Sequence, residues 1–158
     1  TNVEKIPGYR YIPVERSCMA LAVREDSPLL AMGNRMEGYP FPVIKPELLA
    51  GERLISMPGS TNSGNMTREI IEKYGLDVEI RMEFSDVRSL LDAVDGGLGI
   101  AMMMTVPVMG RRVRYLSLEG LELPEQTVEL VYQSDKVLSR AMEYLVELLT
   151  KRVEERSV

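Results

Sequence analysis

Six segments of the chain carry apolar patterns that predict β-strands. Uninterrupted apolar runs at Ser17–Val23 and Leu98–Met104 are typical of strands buried on both faces, and the alternation in Asp77–Phe84 predicts a half-buried strand. Shorter predicted strands are Arg53–Met57, Val113–Leu118 and Thr127–Tyr132. The polar first sixteen residues predict an extended lead-in. The stretch from Pro28 to Pro46, rich in Pro and Gly, predicts a loop ending in one helical turn at Pro46–Leu49.

Helical spacing of apolar residues predicts three helices. The first follows the polar turn Pro58–Gly64 and ends at Gly75, since its apolar positions recur every four residues: Met66, Ile70 and Tyr74. The second is capped by Ser85 or Asp86, stops at Gly96–Gly97, and has the stripe Val87, Leu90, Leu91 and Val94. A long amphipathic helix is predicted from about Asp135 to Glu155. Strands alternating with single helices predict an α/β fold with parallel βαβ units.

Composition narrows the class of function. The 158 residues carry 19 Lys and Arg against 24 Asp and Glu, a net charge of −5, which disfavours nucleic-acid binding by this segment alone. His is absent and Cys18 is the single cysteine, so no internal disulfide, metal site or cofactor is predicted. No apolar run approaches the roughly 20 residues of a membrane span. A reducing, cytoplasmic compartment is the simplest expectation.

The polar turn between a strand and a helix is the strongest candidate binding site. Its backbone N–H groups and the positive end of the helix suit an anion, and such a loop lies where open α/β sheets bind ligands. The candidate residues are Pro58, Gly59, Ser60, Thr61, Asn62 and Ser63. The alternative, a helix cap in a polar turn, carries equal weight. No Gly-Lys-Ser/Thr follows, so nucleotide binding is disfavoured.

The end of the Leu98–Met104 strand is the second candidate. If this strand is parallel to Arg53–Met57, Met104 and Thr105 open at the same edge of the sheet as the polar turn. Thr105 is then able to face a ligand, with methionine side chains forming an adaptable wall. The competing interpretation treats at least two of the methionines at positions 102–104 as core filler.

Catalysis finds little support in the chain, and the protein is predicted not to be an enzyme. No Gly-x-Ser-x-Gly elbow occurs, and no carboxylate is paired with a His. Asp92 and Asp95 are interpreted as a solvated helix edge, and Arg111–Arg114 as an exposed strand edge. Cys18 lies in an apolar strand, where a thiol is expected to be inert.

The order of these segments resembles the effector-binding domain of LysR-type transcriptional regulators. The resemblance extends from about Ile6 to Arg152, and its most specific part is the run from Glu83 to Ala101, in which a strand and a short helix precede the letters GLGIA. Other matching segments are Ala20–Leu29, where the strand runs into SPL, Lys45–Ile55, Met57–Ser60 and Val128–Tyr132.

The resemblance implies a periplasmic-binding-protein-like lobe with a mixed, mostly parallel sheet flanked by helices. By the same resemblance, the second lobe covers about residues 24–125, a lobe-crossing strand covers 17–23, and a returning strand and helix cover 126–155. The family's helix-turn-helix and first lobe have no counterpart in this chain. The family's ligand cleft lies between two lobes, so Pro58–Gly64 and Met104–Thr105 are expected to form one wall. The closing helix is expected to pack on the absent lobe or on another chain.

These expectations define three hypotheses. The first is small-molecule effector sensing by a bacterial LysR-type regulator, with a small anionic effector in the interlobe cleft. In this hypothesis the missing helix-turn-helix contacts DNA. The regulator is expected to be a homodimer or tetramer without membrane attachment. The second is a free-standing periplasmic-type solute-binding protein, which shares the architecture. An enzyme on a related α/β fold ranks third because no paired acid and base are found.

Overall fold

The computed structural model describes residues 5–156, and their side chains as far as Thr150. Twelve elements follow in chain order: β1 (Tyr9–Arg24), α1 (Pro28–Met32), β2 (Val43–Ile44), a 3₁₀ helix (Pro46–Leu49), β3 (Arg53–Ser56), α2 (Asn62–Tyr74), β4 (Glu79–Glu83), α3 (Val87–Asp95), β5 (Ile100–Met104), β6 (Val113–Leu118), β7 (Glu125–Gln133) and α4 (Arg140–Arg156). They form two compact units. The large unit is Met19–Pro124, and the small unit comprises the described residues before and after it.

The sheet of the large unit is mixed, with one strand opposed to all the others. Its strand order is β2-β6-β1-β5-β3-β4. Strand β1 pairs antiparallel with β5 and β6, whereas β2 with β6, β3 with β4, and β3 with β5 are parallel pairs. Five of the six strands therefore run in one direction, and the prediction of a mixed, mostly parallel sheet is confirmed.

Both faces of this sheet are covered, which explains why its central strands are apolar throughout. Residues of β5 alternate between two cores: Ile100 and Met102 pack with Ile70 of α2, while Ala101 and Met103 pack with Leu90 and its neighbours in α3. The two helices therefore lie on opposite faces of the sheet. A strand covered on both sides has no solvent face to carry polar residues.

The predicted ends of the helices agree with their capping chemistry. Gly75 ends α2 in the left-handed conformation, with φ of 58°. Asp86, one of the two proposed caps, begins α3, and its carboxylate accepts hydrogen bonds from the backbone N–H and the hydroxyl of Ser89 at 2.9 and 2.7 Å. These bonds stabilise the charged form and hold the pKa of Asp86 below its usual range.

The small unit is built from a two-stranded ribbon and the last helix. The first half of β1 pairs antiparallel with β7 from Tyr9↔Gln133 to Cys18↔Glu125, and the register shifts between Pro13 and Glu15. Proline lacks the N–H that a ladder requires, so a bulge at this position is its usual place in a strand. Helix α4 begins at Arg140, five residues later than predicted.

Two further sequence expectations miss elements of the structure. The polar lead-in is the first half of β1 from Tyr9 onward, since pairing with β7 does not require an apolar pattern on both faces. The predicted loop contains α1, which Ser27 caps and which starts at a proline, and the two-residue strand β2. These elements are too short to show a period. The helical turn at Pro46–Leu49 is confirmed as a 3₁₀ helix.

Candidate ligand-binding site

The carboxyl ends of strands β3 and β5 lie side by side at one edge of the sheet, at a position called the crevice below. They are parallel neighbours, paired at Leu54↔Ile100 and Ile55↔Ala101, so the expectation that they open at one edge is confirmed. The chain leaves β3 through α2 toward β4, whereas it leaves β5 in the other direction, to β6 beyond β1. Adjacent strands whose connections diverge in this way mark the point where open α/β sheets bind ligands. The polar turn and Met104–Thr105 lie at this point.

Thr61 is the cap of α2. Its hydroxyl accepts a hydrogen bond from the backbone N–H of Gly64 at 3.1 Å and donates one to the carbonyl of Pro58 at 2.7 Å. The capping alternative therefore holds for this residue. A large apolar substitution at Thr61 removes both bonds, so it disturbs the fold as well as any binding.

The remaining polar residues of the turn are open to a ligand. Gly59, Ser60 and Asn62 are exposed, and Pro58 and Ser63 are half-buried. Within residues 5–156, the backbone N–H groups of Asn62 and Ser63, the first two of α2, donate to no protein acceptor. Free N–H groups at the positive end of a thirteen-residue helix are suited to holding an anion.

Gly64 and Arg68 fix the shape of the turn; the sequence indicated Gly64 only as the end of the polar turn and did not point to Arg68. A Cβ on Gly64 would lie far inside van der Waals contact with the carbonyl oxygens of Met57 and Pro58, so only glycine permits this approach. The Arg68 guanidinium donates to the carbonyls of Gly64 at 2.7 Å and Met57 at 3.3 Å, and it also pairs with Glu83. Arg68 thereby holds the turn to α2 and to β4.

Helix α2 is tied to β5 under the crevice by a buried hydroxyl. Thr67 is fully buried, and its hydroxyl lies 3.0 Å from the carbonyl of Met102 and 3.0 Å from that of Ser63. Met102 and Met103 are buried in the two cores, which confirms the interpretation of two methionines as core filler. Met104 and Thr105 are half-buried at the strand end.

Ser56, the last residue of β3, is buried without a hydrogen-bond partner. Its hydroxyl is the one buried side-chain polar atom among the described residues that lacks a partner in the structure. An unpaired buried hydroxyl carries its full desolvation cost. The position directly precedes the polar turn, so the fold tolerates this cost beside the crevice.

Replacing Ser56 with Ala is expected to raise the stability of the unliganded protein by about 1 kcal/mol, because the unpaired hydroxyl is removed with little change in volume. Urea unfolding followed by circular dichroism measures the change. Thr67→Val is the matched control, since Thr67 is also buried and its hydroxyl is hydrogen-bonded, so this variant is expected to lose stability. A loss of stability in Ser56→Ala would contradict the assignment.

The charged residues that were interpreted from the sequence as exposed edges form ion pairs between α3 and the start of β6. Arg111 pairs with Asp92 at 2.6 Å and Arg112 with Asp95 at 3.3 Å, so the two aspartates are partners of arginine and not a merely solvated edge. Arg114 pairs with Glu25 at 2.9 Å. Among the described residues, no group of three acidic or cysteine side chains is arranged to hold a metal ion.

Two surface cavities of the large unit lie outside the polar turn. One, of about 500 Å³, is lined by Lys45, Pro46, Glu47 and Glu119. The other, of about 170 Å³, lies at the amino ends of β3 and β5. Neither of these two cavities includes a residue of the polar turn.

Fold and crevice together define an open α/β ligand-binding module of the periplasmic-binding-protein type. The chain belongs to the LysR substrate binding domain family, whose model matches residues 1–154. None of the described helices combines the length and apolarity that a bilayer span requires.

Known relatives agree with this family. The chain is 28% identical over 123 residues to the HTH-type transcriptional activator CmpR of Synechocystis sp., a match that covers 72% of this chain and 39% of CmpR. This chain therefore corresponds to well under half the length of that regulator.

Solved structures share the fold. The Synechocystis PCC6803 CcmR regulatory domain, solved in complex with 2-PG, has a TM-score of 0.57 at 18% identity, covering 94% of this chain and 70% of that one. The effector binding domain of QuiR in complex with shikimate has a TM-score of 0.58 at 14% identity, covering 98% and 70%. HinK, a LysR family regulator from Pseudomonas aeruginosa, scores 0.60 at 13% identity, covering 96% and 50%.

Proposed function

We propose that this chain is the effector-sensing portion of a LysR-type transcription regulator. The match of the LysR substrate binding domain over residues 1–154 carries the proposal. The family favours a regulator over the second hypothesis, a periplasmic solute-binding protein. Because CmpR is a transcriptional activator and this chain covers 39% of it, DNA binding is assigned to a segment outside this sequence. The proposal is a binding role without catalysis, in the cytoplasm.

The effector is a small anion held by the polar turn. The unpaired N–H groups of Asn62 and Ser63 and the positive end of α2 face the negative group, and the Ser60 hydroxyl adds a donor. Pro58, Gly59, Met104 and Thr105 complete this wall of the site. Thr61 contributes by fixing the turn, since its hydroxyl is already bonded to Pro58 and Gly64.

A ligand at this wall acts by preferring one arrangement of the whole regulator. Residues of about 24–125 are proposed as the second lobe, 17–23 as the strand that crosses between lobes, and 126–155 as the returning strand and helix. The first lobe then supplies the opposite wall. A ligand that binds one arrangement of lobes or subunits more tightly shifts the population toward it, and with it the placement of the attached DNA-binding segments.

The coding sequence that precedes Thr1 tests this proposal against its alternative. We expect it to encode a helix-turn-helix followed by a βαβ lobe. A secretory leader there would instead support the solute-binding protein and refute the regulator. Gel-shift measurements with the parent protein and its own promoter provide the second readout, since a regulator binds this DNA and a solute-binding protein does not.

The last helix is proposed to pack on a partner, which is either the first lobe of the parent protein or a second copy of the chain. Met142, Leu145 and Leu148 recur at helical spacing and are each close to half exposed in the described structure. A row of large apolar side chains at such exposure is typical of a contact surface. A homodimer or tetramer is the assembly that we propose.

Leu145→Glu is expected to weaken self-association of this chain by about tenfold or more, because burying an unpaired carboxylate in an apolar contact is costly. Light scattering across a dilution series measures the association. Leu145→Met is the matched control, because it keeps the apolar surface and is expected to associate as the parent sequence does. Equal association of Leu145→Glu and the parent sequence would refute self-association through this row.

A further inference from the structure

The cavity at the amino ends of β3 and β5 lies at the edge of the sheet opposite to the polar turn. Its volume is about 170 Å³, below the roughly 300–1,000 Å³ of sites for drug-sized molecules, so it admits only a small metabolite. The residues that matter for its chemistry are Arg24, Asp26, Glu52, Arg53, Gly97 and Gly99. All of them belong to the large unit.

Two glycines that line this cavity permit close approaches that a larger residue would block. Gly97, just after α3, has φ of 75°, and a Cβ there would lie 2.7 Å from Nη1 of Arg24. Gly99 approaches the carbonyl of Arg53 more closely than any other residue type permits. The Arg24 guanidinium consequently lies over the end of α3, where the negative pole of the helix favours a cation.

The charges around the cavity are balanced, and half of them are unpaired. Arg24 and Asp26 form an ion pair, with Nε and Oδ1 2.5 Å apart. Among the side chains that the structure describes, Glu52 and Arg53 take part in no ion pair or side-chain hydrogen bond. Glu52 and Arg53, which are consecutive residues, are therefore the two charged lining residues of the cavity that have no side-chain partner among the described residues.

We propose that this cavity binds a small zwitterion of the α-amino acid class, as a second ligand site separate from the crevice. The carboxylate of the ligand pairs with Arg53, for which the guanidinium fork is well suited, and its ammonium group pairs with Glu52. The Arg24–Asp26 pair forms a neutral side of the site. This inference does not depend on the proposed regulator function.

The equal numbers of acidic and basic side chains around the cavity favour a zwitterion over a simple anion or cation. A monoanion at Arg53 meets the carboxylates of Glu52 and Asp26, and a monocation at Glu52 meets the guanidinium groups of Arg53 and Arg24. A zwitterion satisfies both unpaired groups at once and leaves no net charge in the cavity. Each charge-assisted hydrogen bond adds more than a neutral one does.

The test is a titration of the ¹⁵N-labelled 158-residue chain with L-alanine, followed by its backbone amide signals. We expect saturable shifts of Gly97 and Gly99, and we expect Arg53→Gln and Glu52→Gln each to weaken binding by about tenfold. Arg35→Gln is the matched control, because Arg35 is an exposed arginine outside the cavity and is expected to leave the affinity unchanged. Propionate carries only the carboxylate and propylamine only the ammonium group, so each is expected to bind more weakly than L-alanine.

Three outcomes would overturn the inference. If the amide signals of Gly97 and Gly99 show no saturable shift up to high millimolar L-alanine, the cavity is not a binding site for this ligand. Equal binding of propionate or propylamine would remove the zwitterion class. Shifts confined to Gly59 and Gly64 would place the ligand in the crevice, which would leave the proposed function standing while this site fails.

Discussion

Gly64→Ala is expected to destabilise the protein by about 3 kcal/mol, because the added methyl group must displace the backbone of the polar turn. The Cβ would overlap the carbonyl oxygens of Met57 and Pro58, which are backbone atoms and do not move aside as the end of a side chain does. Alanine is the better helix former by about 1 kcal/mol, and this gain offsets only part of the cost. Chemical denaturation followed by circular dichroism measures the difference.

Gly59→Ala is the matched control for this substitution. The three atoms nearest to a Cβ on Gly59 all belong to the Arg68 side chain, the closest being Nε at 3.2 Å, and a side chain yields more readily than the backbone does. We expect this variant to lose no more than about 1 kcal/mol relative to the parent, because Arg68 must shift by only a few tenths of an ångström. Equal losses in the two variants would show that the turn is not held by the close approach at Gly64.

Ser60→Tyr is expected to reduce the effector response of the parent regulator by at least about tenfold, while the stability changes by less than about 0.5 kcal/mol. Ser60 is exposed at the tip of the polar turn, and its side chain makes no hydrogen bond among the described residues. A tyrosine ring there occupies space at the mouth of the crevice without removing a contact of the fold. Reporter transcription against effector concentration measures the response.

Ser85→Tyr is the control for adding an aromatic ring at the same edge of the sheet. Ser85 is exposed after the edge strand β4, away from the neighbouring pair β3 and β5. We expect it to respond as the parent does. An unchanged response in Ser60→Tyr would remove the polar turn from the effector site, and a reduced response in both variants would show that the effect is not local.

The sequence predicts the fold correctly where burial alone determines the pattern of apolar and polar residues. Ser17–Val23 lies within β1, and Leu98–Met104 contains β5, which begins at Ile100. The helix boundaries at Gly75 and Asp86 follow from local chemistry. The first half of β1 was missed because its partner β7 lies more than a hundred residues away and its residues are largely half-exposed or exposed. Helix α1 has five residues, too few to show a period.

The sequence predicts where in the fold the candidate site lies, but not the side-chain contacts that hold it. A polar turn between strand and helix marks an edge of the sheet, and the parallel pairing of β3 with β5 places Met104 beside it. The spacing from Thr61 to Gly64 carries the capping signal. The ion pair of Arg68 with Glu83 depends on how β4 returns beside β3, which no local pattern records.

The structure of the parent regulator with its effector bound tests the central claim most directly. The account requires the effector's negative group within hydrogen-bond distance of the backbone N–H groups of Asn62 and Ser63, with Ser60 and Thr105 in contact with the ligand. An effector bound elsewhere, with the polar turn facing solvent and these N–H groups unengaged, would contradict it.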